Sequence, residues 1–178
     1  MAAPQLSKKK FWIIKPKAGR NEIWNPRFDL PEGVAYWSGG YNASISLTGD
    51  ETRRNAYSMK VITSAAPAYV YYNRGLKVIS GLKYTFSCDI KEVAGGVLCV
   101  VITNSAGDSK VTKWFKATGY WQRVEVTLLA TETNNNYGVG IIRESNSLEP
   151  FYVDGVQFEQ TDKATTFISG YEGDGYSW

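Results

Sequence analysis

The segment FYVDGVQFEQ, residues 151–160, carries an acid and a glycine in the middle of a run that otherwise suits a buried strand. Val153 and Val156 are both apolar but have opposite parity along this run. One extra residue must therefore be absorbed between them, which predicts a β-bulge at Asp154-Gly155. A carboxylate that a bulge turns away from the ladder can anchor a turn or bind a metal ion, and both alternatives stay open.

Aromatic rings beside amide and guanidinium groups form the second set of residues that could bind a ligand. An aromatic ring can stack on the C–H face of a sugar, while amides and charged groups bind its hydroxyls. In AYVYYNRGLKV, strand alternation puts Tyr69 and Tyr71 on the face opposite Val70. If Val70 lies in the core, the two tyrosines form an outward platform with Asn73 and Arg74 nearby.

Other aromatic residues extend this hypothesis. Trp37, in a Gly-rich loop, is predicted to complete the carbohydrate-binding platform, and Tyr41, Tyr72 and Trp114 are further candidates. The alternative for all of them is packing beneath loops or against another subunit. Trp121 is predicted to be a core residue at the edge of the fold.

The composition argues against most enzymatic chemistry. The 178 residues include no His, which removes Ser-His-Asp and Cys-His catalysis. The acids fall on turns and polar faces, so no carboxylate pair for glycoside hydrolysis is indicated. The net charge of +3 is too small to indicate nucleic-acid binding, and no stretch approaches the roughly 20 apolar residues of a membrane span. We expect a protein that is not an enzyme and binds neither nucleic acid nor the membrane interior.

The two cysteines have apolar neighbours. Cys88 lies in YTFSCDI on the apolar face of an alternating run, and Cys99 lies in the apolar run GVLCVVI. Both are predicted to be buried and to behave as small hydrophobic residues. A disulfide between neighbouring strands is the alternative to two free thiols, and free thiols suit a chain made in a reducing cytosol.

Period-two alternation and turn residues predict the architecture. Eight or nine strands are expected and no helix is convincing, with NEIWNPRFD as the first strand. In KYTFSCDIKEV the polar residues Thr85, Ser87 and Asp89 are expected to face solvent. The pattern predicts an all-β antiparallel β-sandwich with jelly-roll topology.

One domain is expected, with flanking segments. Residues 1–20 are predicted to be an N-terminal arm, 21–161 the jelly-roll β-sandwich domain, and 162–178 a C-terminal tail. The arm carries the apolar patch FWII and the tail carries several aromatic residues. We expect these flanks to mediate assembly, since aromatic residues are enriched where proteins meet.

Five motifs occur in a familiar order: NPRFD, YSMKV, YTFSCDIK, YWQRVEVTL and FYVDGVQFEQ. From residue 23 to 160 the chain resembles carbohydrate-binding-module-like jelly rolls of families 4, 9 and 22. Such modules often hold a structural calcium ion between an acid of the first strand and an Asp of the last strand. The resemblance implies Asp29 and Asp154 as the metal ligands here, although Glu is usual at the position of Asp29.

The segment VDGVQFEQTDKATTFISGYEGDGYSW is similar to segments of bacteriophage tail and other virion structural proteins. This resemblance implies a tail-associated virion structural protein, made in the host cytoplasm and incorporated into the virion. The implied partners are other virion and tail proteins, further copies of the same chain in a homo-oligomer, and a host-surface glycan. The alternative function is a glycan-binding module of a carbohydrate-active protein.

Overall fold

The computed structural model describes residues 20–24, 26–29, 33–54, 56–107 and 110–167. Over these ranges the chain forms eleven β-strands. No helix within them is long and apolar enough to cross a membrane. The strands are β1 (Trp37–Gly39), β2 (Ala43–Thr48), β3 (Ser58–Thr63), β4 (Ala68–Tyr72), β5 (Leu76–Val78), β6 (Lys83–Lys91), β7 (Val97–Asn104), β8 (Lys110–Lys116), β9 (Gln122–Leu129), β10 (Asn134–Arg143) and β11 (Phe151–Glu159).

The strands form two antiparallel sheets that enclose one core. Sheet A has the order β1-β4-β10-β7-β8, with β5 also paired to β10, and sheet B has the order β2-β3-β11-β6-β9. Alternate apolar residues of both sheets point inward, as Phe86 and Val100 do, and are fully buried. The predicted all-β antiparallel sandwich is confirmed. The structure has more strands than the eight or nine expected, and two of them, β1 and β5, are only 3 residues long, which is too short for a clear alternation pattern.

The expected first strand is the main correction to the predicted elements. The described residues of NEIWNPRFD include turns and bends but no strand, and the first strand of the described residues begins at Trp37. The backbone cannot stay extended because Phe28 has a φ of 59°. The segment instead lies beside the second half of β11, beyond the residues that pair with β3, where the Asn21 side chain bonds the backbone of Val156 and Phe158 at 2.9 and 3.0 Å.

The outer face of sheet B is polar but does not face solvent as expected. Thr85, Ser87 and Asp89 do point away from the core, yet all three are buried. Residues 161–167, which we call the strap, are hydrogen-bonded to this face. The Thr85 hydroxyl donates to the carbonyl of Thr161 at 3.0 Å. The alternation therefore predicts the correct face, but a segment distant in sequence removes the water.

The strap is held by charged and aromatic contacts. Thr165 donates its backbone N–H to the Glu159 carboxylate at 3.2 Å. The Phe167 ring lies 5.1 Å from the Arg54 guanidinium and 5.8 Å from that of Arg123. The strap is thus attached to sheet B, whereas the N-terminal segment bonds both β11 of sheet B and, through the Trp24 backbone N–H, the Tyr72 hydroxyl of sheet A at 3.1 Å. The FWII patch and residues 168–178 of the predicted tail lie outside the described residues.

Both cysteines are buried and free, as predicted. Cys88 faces the core from β6 in sheet B, whereas Cys99 lies on the outer face of β7 in sheet A. Strands β6 and β7 are consecutive in sequence but belong to different sheets, so the two cysteines are not on paired strands and the alternative of a disulfide between neighbouring strands is not realised. Burial raises the pKa of both thiols above its ordinary value.

Candidate functional site

A groove with a volume of about 710 Å³ crosses the outer face of sheet A, on the side turned away from sheet B. Tyr69 and Tyr71 of β4 line one side, and Val101 and Thr103 of β7 line the other. The strand between them is β10. The volume falls within the roughly 300–1,000 Å³ that is usual for small-molecule sites.

The floor of the groove is low because β10 has glycines at its outward positions. Tyr137 and Val139 point into the core, so Gly138 and Gly140 alternate to the outer face. A Cβ at Gly140 would lie 2.9 Å from the carbonyl oxygen of Val70, so this position requires glycine for close packing. A Cβ at Gly138 would meet only ordinary contacts, at 3.6 Å, so this glycine keeps the groove open without being required by packing.

The strand register aligns the outward residues in three rows that cross sheet A. The rows are Tyr69, Ile142, Cys99 and Trp114; Tyr71, Gly140, Val101 and Thr112; and Asn73, Gly138, Thr103 and Lys110, where Asn73 continues the register just beyond β4. The first row is apolar and the third is polar. The groove therefore offers stacking surface at one end and hydrogen-bonding groups at the other.

The predicted tyrosine platform has the required geometry. Val70 is 2% exposed and packs in the core, so the condition for an outward platform is met. Tyr71 is 47% exposed, whereas Tyr69 is half-buried and packs on the apolar cluster formed by Cys99 and its neighbours. Tyr69, Tyr71, Asn73 and Arg74 all line the groove. Their role in binding sugar stays a prediction.

The polar end of β4 is fixed by contacts with the segment around β1. The Asn73 amide nitrogen donates to the Ser38 hydroxyl at 2.7 Å, and its backbone N–H donates to the Tyr36 carbonyl at 2.7 Å. The Arg74 guanidinium lies 5.4 Å from the centre of the Tyr36 ring. The Tyr72 hydroxyl accepts the backbone N–H of Trp24 at 3.1 Å, and burial raises the pKa of that hydroxyl. Asn73 and Arg74 are therefore positioned before any ligand arrives.

Trp37 does not belong to the platform, contrary to the prediction. It is 5% exposed and its ring lies 5.5 Å from that of Tyr72 and 6.3 Å from that of Phe28. The cause is the pairing of β1 with β4, which puts Trp37 directly opposite Tyr72 on the inward side. Tyr72, another aromatic candidate, is buried for the same reason.

The remaining aromatic candidates have different surroundings. Trp114 is 49% exposed and stands at the far end of the apolar row, on the edge strand β8. Tyr41 is 67% exposed, and its carbonyl oxygen accepts the backbone N–H of Tyr69 at 3.0 Å. Trp121 is half-buried and does not belong to the buried core that was expected to hold it.

Several groove residues were missed because they come from strands far from β4 in sequence. Thr103, Lys110 and Asn136 line the groove from β7, β8 and β10. The one local signal was the alternation of glycine in YGVGII, which leaves one face of a strand without side chains.

The predicted bulge is present. The register between β11 and β6 shifts between Asp154 and Gln157, and Gly155 has a φ of +54°. The Asp154 carboxylate accepts the backbone N–H groups of Arg53, Arg54 and Gly155 at 2.9, 2.7 and 2.6 Å. Burial nevertheless raises its pKa. Asp154 therefore anchors the turn before β3, which answers why an acid stands in this strand.

The contacts of the two predicted metal ligands do not fit a bridging calcium ion. Calcium requires about six to eight oxygen ligands. The Asp154 oxygens instead face three N–H donors, and Asp29 is paired with Arg27 at 3.1 Å. The neighbouring Asp89 is paired with two arginines. No group of three or more His, Cys, Asp or Glu among the described residues could hold a metal ion. The ion stays a prediction.

No protein-family profile matches the sequence, and no curated protein matches it either. Solved structures are similar in fold. TmCBM61 in complex with β-1,4-galactotriose has a TM-score of 0.61 at 14% identity, covering 80% of this chain and 99% of that one. A family 22 carbohydrate-binding module of Clostridium thermocellum xylanase 10B also has a TM-score of 0.61 at 14% identity, covering 85% and 100%. The predicted resemblance is confirmed for the fold, which is a carbohydrate-binding-module-like jelly roll.

A viral structure has the same fold in part of its length. The enzymatically active domain of tailspike protein 4 from bacteriophage CBA120 has a TM-score of 0.58 at 9% identity. The match covers 78% of this chain but only 21% of the tailspike chain. Identities this low establish a shared fold and do not transfer the activity of the larger protein.

Proposed function

We propose that this chain is a glycan-binding module whose site is the groove on the outer face of sheet A. The observation that carries the proposal is the exposed ring of Tyr71 beside a floor of two glycines, with polar side chains at one end. The similar structures support it, because the matched modules include one solved with β-1,4-galactotriose and one described as xylan-binding.

Each part of the groove has a role in this proposal. The Tyr71 ring stacks on the C–H face of a sugar. The absence of a side chain at Gly138 lets the sugar ring come close to the sheet. Asn73 and Thr103 then exchange hydrogen bonds with sugar hydroxyls at the polar end. Contacts of this kind are individually modest, so one site should bind with a Kd of about millimolar to micromolar.

We further propose that the chain is a tail-associated virion structural protein that acts in assembly and host-surface adhesion. The tailspike similarity supports this, as does the attachment of the strap to sheet B, opposite the groove. A domain held through sheet B would present its groove outward. In this role the protein is non-enzymatic, is made in the host cytoplasm, and joins other tail proteins as a homo-oligomer. Many copies would add avidity to a weak site. The same groove would serve the alternative, a glycan-binding module of a carbohydrate-active protein.

The test of the binding function is a glycan array probed with a clustered form of the full chain. We expect binding that is lost in Tyr71→Ala and in Gly138→Val, which fills the floor with a residue that strands accept. Tyr120→Ala is the matched control, because Tyr120 is 78% exposed and does not line the groove. A blank array, or equal binding by all variants, would refute the proposed site.

The virion role has a separate test. The chain should be detected in purified particles by mass spectrometry, at a copy number consistent with a symmetric oligomer. Its absence from purified virions would overturn this role and leave the alternative.

A further inference from the structure

The polar end of the groove carries positive charge that no described lining residue offsets. Arg74 lines it on the side of β4 and Lys110 on the side of β8, and the described lining contains no Asp or Glu. Neither cation forms an ion pair within the described part of the chain. Asp108, which precedes Lys110 by two residues, lies outside the described residues.

A neutral ring contacts the Arg74 side chain. Its guanidinium lies over the Tyr36 ring, and the residue is exposed. This contact restricts the side chain without neutralising its charge. Lys110 opens β8 directly opposite Thr103, in the polar row, and its side chain is exposed. Both cations are therefore available to a ligand in the groove.

The strands of sheet A contain no Asp or Glu, and two acids flank β10. Glu132, which precedes β10, does not line the groove, and its carboxylate accepts hydrogen bonds from Asn104 at 3.0 Å and from Tyr137 at 3.3 Å. Glu144 follows the end of β10, beyond the apolar row. Within the described residues the groove is thus polarised, with stacking surface at one end and two cations that form no ion pair at the other.

We infer that the groove selects an anionic saccharide, one that stacks a sugar on Tyr71 and carries separate carboxylates or phosphates that reach Arg74 and Lys110. The inference rests on the proposed glycan-binding function and specifies its ligand class. Arginine binds planar oxyanions through two parallel hydrogen bonds, and lysine adds a point charge. Strands β4 and β8 are three inter-strand spacings apart, roughly 14 Å, so a ligand that engages both cations spans the width of the groove.

The experiment compares three probes on the clustered full chain: an oligogalacturonate, a neutral galactose oligosaccharide of equal length and linkage, and a phosphorylated counterpart of the neutral probe. We expect at least one anionic probe to bind more tightly than the neutral probe, with the difference shrinking as salt is raised. The carboxylated and phosphorylated probes distinguish the two sources of the anionic group.

Substitutions of Arg74 and Lys110 test whether these two cations cause the preference for anionic probes. Arg74→Gln and Lys110→Gln should each weaken binding of the anionic probe about fivefold more than binding of the neutral probe, as the loss of an exposed ion pair of about 1 kcal/mol would. Lys113→Gln is the matched control, because Lys113 is exposed on the same strand but does not line the groove. Equal binding of neutral and anionic probes, or equal losses in the control, would overturn the inference while the glycan-binding function stands. If no saccharide binds, the proposed function itself fails.

Discussion

Replacing Gly155 by alanine should destabilise the fold far more than the same change at another glycine with positive φ. Gly155 has a φ of +54°, and a Cβ there would lie 2.6 Å from Oδ2 of Asp89. That oxygen accepts hydrogen bonds from Arg54 at 2.7 Å and Arg123 at 3.3 Å. The left-handed backbone costs about 1–2 kcal/mol for alanine. Displacing a charge-assisted hydrogen bond adds about 2 kcal/mol. The expected loss is therefore about 3 kcal/mol or more.

Gly81→Ala is the control that separates these two contributions. Gly81 has a φ of +81° and nothing within 4 Å of a Cβ, so it should lose only the backbone cost of about 1 kcal/mol. Urea unfolding at constant m-value measures both free energies of unfolding. In an Asp89→Ala background the new Cβ would still lie 3.1 Å from Cγ and Nε of Arg54, so Gly155→Ala should cost less than in the wild-type background but no less than Gly81→Ala. Equal losses at the two glycines in the wild-type background would refute the role assigned to Asp89.

Three further predictions concern a buried ion pair, the predicted metal ion and the N-terminal arm. Glu92 and Arg143 form an ion pair with both side chains fully buried, and burial raises the pKa of Glu92. Arg143→Met should cost about 3–5 kcal/mol at neutral pH, because it leaves the carboxylate uncompensated. Because the pKa of Glu92 is raised in the folded protein, the protein loses stability as pH rises from the ordinary pKa of a Glu towards the raised one. The loss caused by Arg143→Met should therefore shrink on acidification, and a loss in the free energy of unfolding that is independent of pH would contradict this. If calcium bridges Asp29 and Asp154, chelation should lower the Tm and Asp154→Ala should remove most of that sensitivity; an unchanged Tm on chelation would leave Asp154 as a turn anchor alone. Deleting residues 1–20 should leave a folded domain that fails to assemble, and normal assembly in sedimentation analysis would rule out that arm as an assembly element.

The bulge shows how much a local pattern can determine. Val153 and Val156 have opposite parity, and both had to be buried, so an extra residue at Asp154-Gly155 followed from the sequence alone. The alternation of β6 and β9 likewise predicted their core faces. Such features depend on neighbours along one strand, where the period of two fixes which side chains share a face.

The groove depended on contacts that no local pattern contains. The outward direction of Tyr71 followed from alternation once Val70 was in the core, but its neighbours Gly138 and Thr103 come from β10 and β7, and only strand pairing places them beside it. The Gly-rich loop of Trp37 indicated a surface position, yet pairing with β4 turned the ring inward.

The outer face of sheet B shows the same division. Alternation placed Thr85 and Asp89 on that face, but the strap from residues 161–167 decided that they are buried. The sequence by itself determined which side chains share a face of each strand, because that is a property of the covalent chain. Which face meets water, which meets another strand and which is left open as a groove was decided by tertiary packing, because solvent exposure depends on segments far apart in sequence.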